Sequence, residues 1–154
     1  MSYLIVKWLH ILSSTVLFGT GIGSAFYMFF ATLRRDPRVV ASVVGLVVWA
    51  DAIFTTSTIV FQPLSGWYML HLAGIPVSTP WVQWSIGLYV LATACWLPVV
   101  WLQIKLRDIA RQAVATGTLL PRRYWQLFGV WVALGVPALI AFLVVFWLMV
   151  AKPV

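Results

Sequence analysis

Four apolar stretches, at about 3–33, 39–74, 81–107 and 124–150, dominate this 154-residue chain, and each is long enough to cross a bilayer as a helix. About 20 residues rising 1.5 Å each span a hydrocarbon core roughly 30 Å thick. In lipid a single segment satisfies its backbone N–H and C=O groups only by coiling into a helix. The chain is therefore expected to be all-α, a four-helix transmembrane bundle making one integral membrane domain over 1–154. Composition removes the aqueous alternative, because no soluble core hides the surface of a chain that is 63% hydrophobic and 8% charged. The first stretch is too long for a signal-peptide core and lacks a small-residue cleavage site, so it is expected to be a retained helix.

The net charge of +7 is concentrated between the stretches, at Arg34-Arg35-Asp36-Pro37-Arg38 and in the segment from Lys105 to Arg123. The positive-inside rule accounts for both clusters, making 34–38 and 108–123 cytoplasmic loops and putting both termini on the non-cytoplasmic side. No nucleic acid partner is needed to explain the charge. The expected location is the bacterial inner membrane, multi-pass, with the lipid bilayer as solvent. The uncharged segment 74–80, with Pro76 and Pro80, reads as a turn on the outer side. Ile109, Ala110, Ala113 and Val114 suggest a helical extension lying on the inner membrane surface. Tyr3, Trp8, Trp67, Trp81 and Trp147 fall near the outer interface and Tyr124 and Trp125 near the inner one, so the aromatic residues read as anchors rather than as a binding site. Cys95 has no intrachain partner and reads as a packing residue.

Two histidines occur, His10 and His71, near the outer ends of adjacent spans. His10 lies roughly 10 Å inside the start of the first span and His71 roughly 5 Å inside the end of the second. Imidazoles facing each other from neighbouring helices are the usual axial pair for a b-type haem, so both are candidate metal and cofactor ligands. The bland alternative is that each ring only bonds a neighbouring helix. Lys7, one turn nearer the surface on the face of His10, could pair with a haem propionate or simply anchor the helix end.

Asp51 is the one carboxylate deep in a span, and Thr55, Thr58, Gln62, Ser65 and Met69 follow it along one helix face. That stripe must face protein or water, and Asp51 is a candidate catalytic proton relay or a plain hydrogen-bonding group. Pro63 removes a backbone donor and is expected to kink the second span, which requires a neighbouring polar group for the freed carbonyl. On an uninterrupted helix His71 lies roughly 200° from Asp51. Unless the kink rotates it back, Met69 becomes the rival axial ligand to His10. Ser85, Tyr89, Thr93, Trp96 and Gln103 form a polar seam on the third span, expected to meet the stripe of the second. Gly19, Gly21, Gly23 and Ala25 offer either close helix packing or room for a flat ligand. The fourth span is assigned to structure. There is no nucleotide-binding loop and no glutamate, so hydrolytic and phosphoryl-transfer chemistry is not expected.

Tyr3-Leu4-Ile5-Val6-Lys7-Trp8-Leu9-His10-Ile11, Gln62-Pro63-Leu64-Ser65-Gly66-Trp67, Ser78-Thr79-Pro80-Trp81 and the run from Trp96 to Asp108 resemble a family of predicted bacterial integral membrane proteins known only as a domain of unknown function. The opening Lys7-x-x-His10-Ile11 is similar to the start of the HemJ-type protoporphyrinogen oxidases. That likeness implies His10 as a haem ligand and electrons passing to quinone or a respiratory-chain protein. The leading expectation is accordingly a haem b electron-transfer protein or haem-dependent oxidoreductase. Two alternatives stand beside it: a copper-handling membrane transporter using His10, His71 and Met69, and a non-catalytic assembly subunit, either of which could pair with a second copy of the chain.

Overall fold

A computed structural model describes residues 1–153, and its long helices coincide with the four apolar stretches. Helix α1 covers Ser2–Leu33, α2 Pro37–Ala50, α3 Thr56–Ala73, α4 Pro80–Thr116 and α5 Arg122–Ala151. A π-helical turn, Asp51–Thr55, joins α2 to α3 without a break, so the two together form one span. All four spans are long and apolar enough to cross a membrane, and the described residues contain no strand.

The turns follow from local chemistry. Arg35 adopts φ 59, and the Asp36 carboxylate accepts the backbone N–H of Arg38 at 2.8 Å, capping α2 with Pro37 at its first position. Helices α3 and α4 both end on a left-handed glycine, Gly74 at φ 63 and Gly117 at φ 66. There a side chain would meet its own carbonyl, and the reversed turn lets Ile75 and Thr118 N–H close on Leu70 and Ala113 carbonyls.

The bundle is packed most densely at its arginine-bearing end. Met28, Val40, Val44, Leu102, Leu106 and Tyr124 form the centre of one buried cluster there. Helix α4 does not leave the bundle to lie on the membrane surface, as its sequence suggested. It continues straight to Thr116, because Ala110 and Ala113 are small enough to be buried in the same cluster. Tyr124 is likewise a core residue rather than an interfacial anchor: its ring is wholly buried, and its hydroxyl meets Thr32 Oγ1 at 2.9 Å.

The other half is built from two pairs, α1 with the second span and α4 with α5, and α3 and α4 are only loosely joined. One bond between them has a clear cause. Pro63 has no N–H to give the Ile59 carbonyl four residues back, and the Tyr89 hydroxyl donates to that carbonyl instead. Helix α3 thereby stays helical through Pro63.

Candidate functional site

The polar stripe of the second span turns inward as a unit. Asp51, Thr55, Thr58, Gln62 and Ser65 are all buried, and spacings of four, three, four and three residues keep them on one face. This stripe joins two sites at different depths.

The shallower site is a hydrogen-bonded cluster between α1 and α3. His10 Nδ1 lies 2.7 Å from Ser65 Oγ. Gln62 Nε2 donates to the His10 carbonyl and to Ser14 Oγ, each at 3.0 Å, and Ser14 Oγ donates to the same carbonyl at 2.8 Å. Gly66 lies against the ring, and a Cβ there would stand in ordinary contact with His10 Cε1 at 3.6 Å. The Ser65 hydroxyl also lies 2.7 Å from the Phe61 carbonyl and 3.1 Å from the Gln62 carbonyl. In the tautomer that carries its proton on Nδ1, His10 donates to Ser65 Oγ, Ser65 donates to one of these carbonyls, and the ring's lone pair resides on Nε2.

His71 is not drawn into this cluster. It is exposed on the last turn of α3, and its ring has no hydrogen bond among the described residues. Six residues past Ser65, it lies about 120° around the helix from the side facing His10. Met69, four residues past Ser65 and about 40° away, is half-buried on the nearer side. Lys7 is exposed and unpaired among the described residues. No cluster of three or more His, Cys, Asp or Glu side chains occurs among the described residues.

The deeper site is a cavity of about 390 Å³ to which every span contributes. Asp51 stands on its wall, about 20 Å along the helix from Arg38. The π-helical turn begins at Asp51. Thr55 Oγ1 donates to Asp51 Oδ1 at 2.8 Å, and Thr56 Oγ1 donates to the Asp51 carbonyl at 3.0 Å. The polar seam of α4 does meet the second span, through Tyr89 and through Gln103, which shares the cavity wall with Asp51. Three buried polar atoms on the wall have no partner: Gln103 Oε1, Trp96 Nε1 and Trp131 Nε1.

The glycine stripe of α1 does not pack against another helix of the chain, because a Cβ at Gly19, Gly21 or Gly23 would meet nothing within 4 Å. Gly21 lines the cavity. Helix α5 contributes Trp131 and Gly135 to the cavity wall. Trp96 belongs to the polar seam expected of the third span, whereas the aromatic-anchor reading missed Trp131, although its depth was a usable signal. Trp131 lies about 14 Å along α5 from Arg122, too deep for a ring seeking the interface. The π-helical turn left no signal in the sequence.

Residues 4–153 match the profile of the family described as Predicted integral membrane protein (DUF2269), and the chain belongs to that family. No curated protein and no solved structure is matched by the chain.

Proposed function

We propose that this family member is a haem b-binding electron-transfer protein of the bacterial inner membrane, with His10 as one axial ligand. The observation that carries the reading is the anchoring of the His10 ring at Nδ1. Iron needs an imidazole nitrogen with a free lone pair and a ring held by a bond at the other nitrogen; the Ser65 contact at 2.7 Å holds Nδ1, and Nε2 is the nitrogen that would bind iron in the Nδ1–H tautomer. The chemistry of the donor set thus fits a haem at the His10 position. Met69 is favoured over His71 as second ligand, because it lies on the α3 side turned toward α1 while His71 is exposed. Lys7, one turn toward the chain terminus from His10, is the cation available to a propionate.

Bound haem would supply one-electron chemistry near the bilayer surface. The chain's own residues would hold it: Ser65 orients the imidazole, Gln62 and Ser14 fix the backbone at His10, and Asp51 offers a proton-exchanging group deeper in the same stripe. A membrane quinone or a respiratory-chain protein is the corresponding electron partner.

The test is an absorption spectrum of detergent-purified protein after haem supplementation. A Soret band in the parent, absent in His10→Ala and retained with altered reduced bands in Met69→Leu, is expected. A parent without a Soret band, or a His10→Ala variant that keeps it, overturns the proposal; tight copper uptake by the haem-free parent would then favour the metal-handling alternative.

A further inference from the structure

The central cavity has the features of a ligand site that the haem reading does not use. Gln103 and Trp131 are 2% and 6% exposed, and Gln103 Oε1 and Trp131 Nε1 have no partner while both residues line the cavity. A buried polar atom left unpaired is costly, and the cost is removed by a ligand bringing the missing partners. Trp96 and Trp131 offer two N–H donors. Gln103 Oε1 and the Asp51 carboxyl offer acceptors. A matching ligand carries ring oxygen atoms that accept from the indoles and, in a reduced hydroxyl form, also donate.

Three further observations narrow its class. No Lys, Arg or His lines the cavity, so nothing neutralises an anionic head such as a phosphate or a fatty carboxylate. Apart from Ser24 and Thr55 the remaining wall is apolar and rich in aromatic rings, among them Phe18, Phe29 and Phe142, which suits a flat ring. Finally, the lining residues Ile22 and Phe26 of α1 and Val136 and Leu139 of α5 are exposed, so the mouth lies between these helices at mid-span. There it opens to hydrocarbon, not to water.

We propose that this cavity binds one neutral, oxygen-bearing ring compound of the lipid phase, of the quinone or quinol class, taken up sideways between α1 and α5. Its head reaches Trp96, Trp131 and Gln103 beside Asp51, and its tail leaves through the mouth into the bilayer. A volume of about 390 Å³ lies in the range of small-ligand sites, roughly 300–1,000 Å³. The proposal goes beyond the haem reading and stands without it.

Equilibrium dialysis of the full chain in detergent tests it, with a short-tailed benzoquinone and its quinol as probes and a long-chain alcohol and a long-chain carboxylate as comparators. Near-stoichiometric binding of quinone and quinol is expected, with both comparators at the level of detergent partition. Trp131→Phe keeps the ring and removes the N–H, and should weaken binding about tenfold. Gly135→Leu should abolish it by filling the wall, at a position where a new Cβ meets nothing within 4 Å and the helix prefers leucine to glycine. Quinone retention no greater than in protein-free detergent, binding unchanged in both variants, or carboxylate binding as tight as quinone would each overturn the proposal. Should Gly135→Leu fail to fold, Trp131→Phe alone decides. A Soret band kept in Gly135→Leu while quinone binding is lost separates this site from the haem position.

Discussion

The bond from Tyr89 to the Ile59 carbonyl makes a sharp test of how this bundle manages a proline inside lipid. Tyr89→Phe removes only the hydroxyl and keeps the ring, including its edge-on contact with Phe142 at 6.3 Å. The Ile59 carbonyl then has neither a backbone donor, because residue 63 is proline, nor a side-chain donor. Side-chain hydrogen bonds between helices in membranes are worth about 0.6 kcal/mol on average and at most about 1.7. A half-buried carbonyl left without any partner belongs to the upper part of that range, so Tyr89→Phe should cost about 1 kcal/mol. Pro63→Ala restores the N–H to the same carbonyl, and in that background Tyr89→Phe should cost less than about 0.3 kcal/mol. Denaturant unfolding of the four proteins in detergent micelles gives the cycle directly. Equal losses from Tyr89→Phe with proline and with alanine at position 63 would refute the account of Pro63.

Two smaller predictions concern the ends of the bundle. Tyr124→Phe should lower stability by about 1 kcal/mol by leaving the buried Thr32 hydroxyl without its 2.9 Å partner, and adding Thr32→Val should recover part of the loss in the same unfolding assay. Gly117→Ala should destabilise by roughly 1 kcal/mol, because φ 66 is left-handed, whereas Gly129→Ala, in the body of α5 with open space at its Cβ, should be neutral or stabilising.

What the sequence revealed and what it hid have separate physical causes. Span positions were legible because bilayer thickness imposes a length, and the stripe from Asp51 to Ser65 was legible because polar side chains in lipid must share an inward face. The partner for the Pro63-freed carbonyl was foreseeable as a need, but its identity as Tyr89 depends on how α4 sits against α3. The fate of Ala110 and Ala113 was hidden for a related reason. Alternating small and charged residues fit a helix on a membrane surface and a helix packed in a bundle equally well, and only the neighbours Val40 and Tyr124 decide. The pairing of His10 with Ser65 was hidden because it depends on how α1 sits against α3, a fact of packing and not of residue type.

The distribution of satisfied and unsatisfied polar atoms argues for where function resides. At the arginine-bearing end the buried pair Thr32 and Tyr124 is closed on itself, and the apolar cluster around it extends to the cavity wall through Val99 and Trp131. Beyond that pair the polar groups are not all closed. His10 presents an imidazole at one depth, and Gln103, Trp96 and Trp131 present unpartnered atoms at another. The two depths are connected by one face of the second span, whose π-helical turn lies at Asp51. A π-helical turn weakens the regular hydrogen-bond ladder and is retained mostly where it positions a functional group. Its location beside the cavity, rather than beside His10, makes Asp51 the group whose proton a ligand in the cavity would meet first. Asp51→Asn keeps the acceptor for Thr55 and removes the exchangeable proton. It should therefore leave quinone binding within about threefold of the parent, the cost of one altered hydrogen bond, while abolishing proton release or uptake that accompanies quinol or quinone binding in lightly buffered detergent. Proton exchange of equal size in Asp51→Asn would remove this residue from the relay and leave it a purely structural partner of Thr55.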